Sequence, residues 1–189
     1  MTRTPVTRRD FAADVTMVLS SIAVGGAVFG RRAGAQVAAG QGNAGISRTA
    51  ASIHQEVNFN ASRTRVYDVL TSAAQFDKVV RASAAMKSGL PPDAKPTEVS
   101  RQRGGAFLLF GGYISGRNVV LIPNQRLVQA WRADSWPAGV YSIVRFELTD
   151  AGAGTRLVFD HTGFPPGEAQ HLADGWRDNY WTPMAKVLA

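Results

Sequence analysis

No cysteine occurs among the 189 residues, which excludes a disulfide framework, a thiol nucleophile and a thiolate metal site. Histidine is almost as scarce. The three present, His54, His161 and His171, show no His-Glu-x-x-His spacing and no nearby His/Asp/Glu cluster, so no metal centre is expected. A Gly-x-Ser-x-Gly elbow is missing as well. The pairs Gly104-Gly105 and Gly111-Gly112 bracket a strand-like run as turns do, and match neither a phosphate loop nor a dinucleotide fingerprint. No cofactor is therefore expected. No apolar run reaches the roughly 20 residues that a membrane-spanning helix needs.

Charge is modest and unevenly placed. The formal net charge is +7, from 21 basic and 14 acidic residues. Five of the basic and two of the acidic residues fall in positions 1–35, leaving 16 against 12, or +4. The remaining arginines are dispersed and do not interleave with aromatics, so no nucleic-acid partner is expected. Thr7-Arg8-Arg9-Asp10-Phe11, a mildly apolar run from Val15 to Phe29, and Arg31-Arg32-Ala33-Gly34-Ala35-Gln36 follow one another as basic, apolar and cleavage regions do. The arginine pair resembles a twin-arginine export signal. Residues 1–35 are expected to be that signal and 36–50, rich in Gly, Ala and Ser, a linker. The mature protein is then periplasmic or secreted and meets a membrane only in transit. The alternative is an uncleaved anchor or an amphipathic first helix.

One domain is expected over residues 51–189. Ser52 to Asn60 alternates as a strand, with Ile53, Gln55, Val57 and Phe59 on one face and His54 on the polar face. Ser62 caps a helix from Arg63 to about Thr71, and a second short helix covers Ala74 to Val80. Residues 82–97, broken by Gly89, Pro91, Pro92 and Pro96, read as a long loop. Strands follow at Glu98 to Arg103, Ala106 to Phe110, Tyr113 to Ile122, Arg126 to Arg132, Val140 to Thr149 and Thr155 to Thr162. Gly111-Gly112 is the expected two-residue hairpin turn. The facing of Trp131 stays open, because Leu127, Gln129 and Trp131 compete with Val128, Ala130 and Arg132 for the inner side.

Glu168 to Leu188 reads as one long helix with Leu172, Trp176, Tyr180, Met184 and Val187/Leu188 on a single stripe. Such a stripe needs a broad apolar partner, which a curved antiparallel sheet supplies; the class is α+β. His161 shares the phase of Leu157 and Phe159 and points towards that helix. It is either a core histidine bonded to a carbonyl or to Tyr180, or a pocket histidine that orients a ligand or moves a proton. Phe107, Tyr113, Trp131 and Trp136 join Phe159, His161, Trp176 and Tyr180 as candidate lining of a pocket, since Tyr and Trp carry polar tips suited to a semi-polar ligand.

Several motifs together resemble one family. They include Val66-Tyr67-Asp68-Val69-Leu70, Gly104-Gly105-Ala106-Phe107 and Gly111-Gly112-Tyr113-Ile114-Ser115-Gly116, then Trp131-Arg132 and Trp136-Pro137. His161-Thr162-Gly163-Phe164-Pro165 and Gly175-Trp176 with Tyr180-Trp181 complete the set. Residues 52–189 are similar to START-like (SRPBCC, Bet v 1-like) helix-grip proteins, specifically to homologues of the heat-shock-protein ATPase activator's C-terminal domain. The resemblance implies a curved sheet of six or seven strands wrapped around the terminal helix, with two short helices after the first strand. It also implies a cavity between sheet and helix that takes hydrophobic or aromatic small molecules, and no catalytic residue. A cyclase, hydrolase or dehydratase using His161 is the alternative. A chaperone-activating module is the third, since the namesake also uses an N-terminal domain and an exported protein meets no ATP-driven chaperone.

Overall fold

The computed structural model describes residues 51–87, 89 and 94–189. The expected signal and linker, residues 1–50, and residues 88 and 90–93 of the expected loop lie outside them. Strand β1 (Ser52–Phe59) alternates as its sequence does, burying Ile53 and Phe59 and exposing His54 and Glu56. The extended Ser62 then accepts a hydrogen bond from the Arg65 backbone N–H at 3.4 Å and caps α1 (Arg63–Thr71). Helix α2 (Ala73–Ala82) follows at once; Val66, Val69 and Leu70 of α1 and Phe76, Val79 and Val80 of α2 are buried. The stretch expected to be irregular holds one more helical turn, α3 (Ala84–Lys87). Its Ala85 N–H donates to Asn179 Oδ1 of the terminal helix at 2.8 Å, a long-range tie that no local pattern encodes.

Six further strands are β2 (Glu98–Val99), β3 (Ala106–Leu109), β4 (Ile114–Ile122), β5 (Arg126–Ala133), β6 (Ser142–Ala151) and β7 (Gly154–Thr162). All pair antiparallel in one sheet of order β1-β7-β6-β5-β4-β3-β2. The first strand therefore lies beside the last, with Ile53 opposite His161. One face of the sheet carries the core. The other is a ladder of charges, with His54 Nδ1 2.7 Å from Asp160, Arg145 and Arg156 each 2.6 Å from Asp160 and Glu56 respectively, and Arg126 2.6 Å from Glu147. Exposed pairs of this kind add little to stability, because water and salt screen them; they keep the outer face wet.

Besides α3, and a strand expected to reach Arg103 that ends at Val99, two elements depart from expectation. The β3–β4 turn is not a two-residue hairpin: Leu109 pairs with Ile114, so four residues connect the strands. Phe110, Gly111 and Gly112 run left-handed in succession, at φ 52°, 69° and 99°. At Phe110 that conformation costs about 1–2 kcal/mol. Burial of its ring, 6.0 Å from Phe76 and 5.4 Å from Tyr180 between centroids, offsets the cost. The second departure is in the terminal helix, which is α4 (Ala169–Trp176), a π-helical turn (Arg177–Trp181) and α5 (Thr182–Leu188). Within the π turn the Thr182 N–H reaches back five residues to the Arg177 carbonyl. The apolar residues Leu172, Trp176, Tyr180, Met184 and Leu188 recur every four positions, and all five are buried. In a regular helix that spacing drifts about 40° per step, or roughly 160° over the set. One extra residue in a turn takes back about 100°, which keeps the stripe on the sheet.

Close packing at Gly116 fixes the β3–β4–β5 corner. A Cβ built there would lie 2.0 Å from the Ala130 carbonyl oxygen and 2.4 Å from the Phe107 ring. Gly116→Ala is expected to destabilise the fold by about 3 kcal/mol, read as a lower urea midpoint. A midpoint within error of the parent would show that this corner yields.

Candidate functional site

The alternation of β7 puts Leu157, Phe159 and His161 on the inner face, and that of β5 puts Leu127, Gln129, Trp131 and Ala133 there. This settles the facing of Trp131, which is 3 % exposed. Across the sheet Phe159 lies opposite Phe146 and Trp131 opposite Ser142. The helix lays Trp176, Tyr180 and Trp181 over these residues. Ring centroids are 4.3 Å apart for Trp176 and Phe159, 4.1 Å for Trp176 and Tyr180, and 5.6 Å for Trp176 and Trp131. Trp136 and Phe164 close the layer against Trp131 and His161, at 5.4 and 4.9 Å. Each buried aromatic removes some 150–250 Å² from water, on the order of 4–6 kcal/mol gross.

A directed chain of hydrogen bonds crosses this layer. Trp176 Nε1–H donates to His161 Nδ1 at 3.0 Å. An indole nitrogen is a donor only, so Nδ1 carries no proton and Nε2 carries the single one. Nε2–H then donates to Ser142 Oγ at 2.7 Å, and Ser142 donates to the Trp131 carbonyl at 3.0 Å. Every polar atom of the chain is satisfied and every direction is fixed. Burial pushes the imidazole pKa down to about 3. Protonation would also set an Nδ1–H against the Trp176 N–H, donor against donor. His161 is thus a buried, neutral histidine whose partners are Ser142 and Trp176, neither a carbonyl nor Tyr180.

Two polar atoms in the same layer are not satisfied. Tyr180 Oη and Trp131 Nε1 are buried and make no hydrogen bond among the described residues. The two groups are neighbours: burial pushes the Tyr180 phenol pKa up, and the Trp131 N–H pulls it slightly back. Their contact falls short of hydrogen-bond geometry. Even a closer approach would satisfy only the Trp131 proton, because the phenol O–H would still lack an acceptor. An unmet buried donor costs about 1–3 kcal/mol.

Of the eight residues singled out from the sequence, Trp131, Trp136, Phe159, His161, Trp176 and Tyr180 meet in this layer. Phe107 is buried, but its ring lies over Gly116. Tyr113 is brought elsewhere. It is 48 % exposed with its hydroxyl 3.2 Å from Ser135 Oγ, because β4 buries Ile114, Gly116 and Asn118, and Tyr113, one residue before Ile114, falls on the opposite face. Sequence reasoning missed Gln55 and Ser142. Gln55 accepts from Trp181 Nε1 at 2.6 Å and donates to the Ala173 carbonyl at 3.0 Å, clamping the helix on both sides of Trp176. Its signal was a lone amide on the apolar face of β1. Ser142 had no signal beyond its phase on β6.

An antiparallel sheet gripping a terminal helix, with the aromatic layer between them, defines a START-like helix-grip protein. Residues 60–189 match the family described as Activator of Hsp90 ATPase homolog 1-like protein, and the chain belongs to that family. An uncharacterised protein of Schizosaccharomyces pombe is 32% identical over 156 residues, covering 80% of this chain and 43% of its own length. The human activator of 90 kDa heat shock protein ATPase homolog 1 is 30% identical over 93 residues, 49% of this chain and 28% of the human protein. The chain thus spans less than half the length of these relatives. Among solved structures, an HSP90 activator from Plasmodium falciparum superimposes with a TM-score of 0.63 at 21% identity, over 72% of this chain and 95% of the other. CalU16 from Micromonospora echinospora gives 0.57 at 19% identity, over 74% and 77%. These two likenesses are of fold.

Proposed function

We propose that this chain is a helix-grip binding protein for a hydrophobic or aromatic small molecule that carries an acceptor oxygen. The observation that carries the reading is the pair Tyr180 Oη and Trp131 Nε1, two unmet donors in an aromatic layer where the Trp176–His161–Ser142 groups are already paired with one another. A ketone, quinone or ester oxygen placed between them accepts both protons while its rings or chain pack on Trp176 and Phe159. The rings of the layer touch one another, so the ligand enters only as the layer opens. The strained Phe110, whose ring leans on Tyr180, is the natural point of yielding. That opening lowers affinity, which fits a carrier or sensor better than a tight store.

An acid–base role for His161 is the weaker reading, because both its ring nitrogens are engaged in buried hydrogen bonds. The family match favours a second reading, an interaction module acting on a heat-shock protein ATPase. Pull-down with such an ATPase tests it directly. Export is proposed on residues 1–36 alone, and N-terminal sequencing of the protein from its own host decides it.

Paired probes test the lead reading. Displacement of Nile red by 2-acetylnaphthalene is expected to be about fivefold tighter than by 2-ethylnaphthalene, the value of one hydrogen bond. Tyr180→Phe is expected to reduce the difference, since only the Trp131 N–H is then left to meet the ketone, while leaving the ethyl compound unchanged. Equal binding of the two probes by the parent protein would overturn the reading.

A further inference from the structure

Away from the aromatic layer, a groove of about 490 Å³ opens between α1, the loop before β3 and the β4–β5 turn. Thr64, Tyr67 and Asp68 line it from α1, at the spacing that shares one helix face. Leu121, Pro123 and Asn124 form the opposite wall, and Arg101 and Arg103 come from the loop. Arg101 is braced: its guanidinium pairs with Asp68, and its Nε donates to the Thr71 carbonyl at 3.1 Å. Arg103 is exposed and, among the described residues, enters no ion pair. Tyr67 is half-buried, and burial pushes its hydroxyl above the ordinary phenol range, which leaves it a donor at neutral pH. Two arginines against one aspartate give the lining a formal charge of +1.

The arginine loop is fastened from inside. Gly104 N–H donates to the Asn118 carbonyl at 2.7 Å, and Asn118 N–H to the Gly105 carbonyl at 2.9 Å. The Asn118 side chain donates to the Ser100 carbonyl at 2.6 Å and accepts from Gln129 Nε2 at 3.0 Å. Asn118 and Gln129 are both buried, and buried amides destabilise unless satisfied. Here both serve to hold a loop whose only charged side chains are Arg101 and Arg103. Asn118 also sits where the β4–β5 register shifts, a bulge of the sort that re-aims side chains beside binding sites.

We propose that this groove binds an organic monoanion, a carboxylate carried on an apolar, ring-sized body. The Arg103 fork and the Tyr67 hydroxyl meet the carboxylate, and Leu121 and Pro123 receive the body. Asp68 sets the charge limit, because a dianion there faces a like charge.

Amide shifts of the ¹⁵N-labelled full chain test this at fixed ionic strength and pH 8, with three probes that share a benzene ring. Phenylacetate is expected to give saturable shifts in residues 101–105 and 124, phenyl phosphate weaker ones, and benzyl alcohol none. Arg103→Gln is expected to weaken phenylacetate about tenfold, the loss of a charge-assisted hydrogen bond, whereas Arg145→Gln on the outer face leaves it unchanged. Tighter phenyl phosphate binding would overturn the monoanion assignment. Shifts that never saturate, that benzyl alcohol reproduces, or that survive Arg103→Gln would overturn the site.

Discussion

Trp176→Ala is expected to lower the unfolding free energy by about 5 kcal/mol, from the 3–5 kcal/mol typical of emptying a large aromatic site plus the loss of a buried donor. Trp176 is 2 % exposed and contacts rings from three strands' worth of core, among them Phe146, Phe159, Trp131 and His161. It also supplies the N–H that fixes the His161 tautomer. Removing it leaves His161 Nδ1 an unmet acceptor in a hole the neighbouring rings cannot fill. A loss of that size can exceed half of a domain's total stability, so Trp176→Phe is the informative companion. It keeps most of the ring and loses only the hydrogen bond and some volume, for an expected loss of about 2 kcal/mol. Urea midpoints at unchanged slope measure both. A Trp176→Phe loss as large as that of the alanine variant would place the whole effect in the hydrogen bond. An alanine variant within 1 kcal/mol of the parent would remove Trp176 from the centre of the core.

What could be read from the residues depended on whether their pattern was periodic. Leu157, Phe159 and His161 alternate without ambiguity, so their inward facing and their place under the helix were legible. The terminal stripe was legible too, but the π turn was not: a spacing of four looks helical, and only its accumulated drift away from the sheet demands an extra residue. Trp131 defeated local reading because either face of β5 offers apolar residues. The tertiary partner Asn118 bears on it, by holding the Gln129 amide on the inner face that Trp131 shares. Tyr113 was misplaced because its own strand turns Ile114, Gly116 and Asn118 inward, which leaves Tyr113 on the outer face. Gly111-Gly112 signals a tight hairpin, yet Phe110 joins the left-handed run because its ring has a buried place to go. The same tertiary logic hides the groove on α1, whose arginines look dispersed in sequence and meet only because Asn118 folds their loop down.

Acid is expected to destabilise this protein earlier than its carboxylates alone would allow. His161 has a pKa of about 3 when folded against 6.5 when unfolded. Between those values the unfolded chain binds the proton and the folded one does not, so stability rises with pH. The contribution of neutral His161 is complete above about pH 6.5 and drains away as pH falls towards 3, with an order-of-magnitude limit of roughly 5 kcal/mol. His54 works in the opposite sense: Asp160 raises its pKa, so its contribution is present below 6.5 and fades as pH rises through the folded value. It is exposed, and its change falls above pH 6.5, outside the His161 interval. Asp160, Glu56 and Asp174 have lowered pKa values, held down chiefly by Arg145, Arg156 and Gln170 with Arg177. Their stabilisation is lost only below the ordinary carboxylate range, near pH 4. The interval from 6.5 to about 4 is therefore the signature of His161. Urea unfolding at half-unit pH steps is expected to show a steep fall there, which His54→Gln leaves in place. His161→Gln, less stable at pH 7, is expected to be nearly flat across the same interval, since glutamine keeps a donor and an acceptor but takes up no proton. An equally steep fall in His161→Gln would mean that the proton goes elsewhere and that the imidazole is not held neutral by its burial.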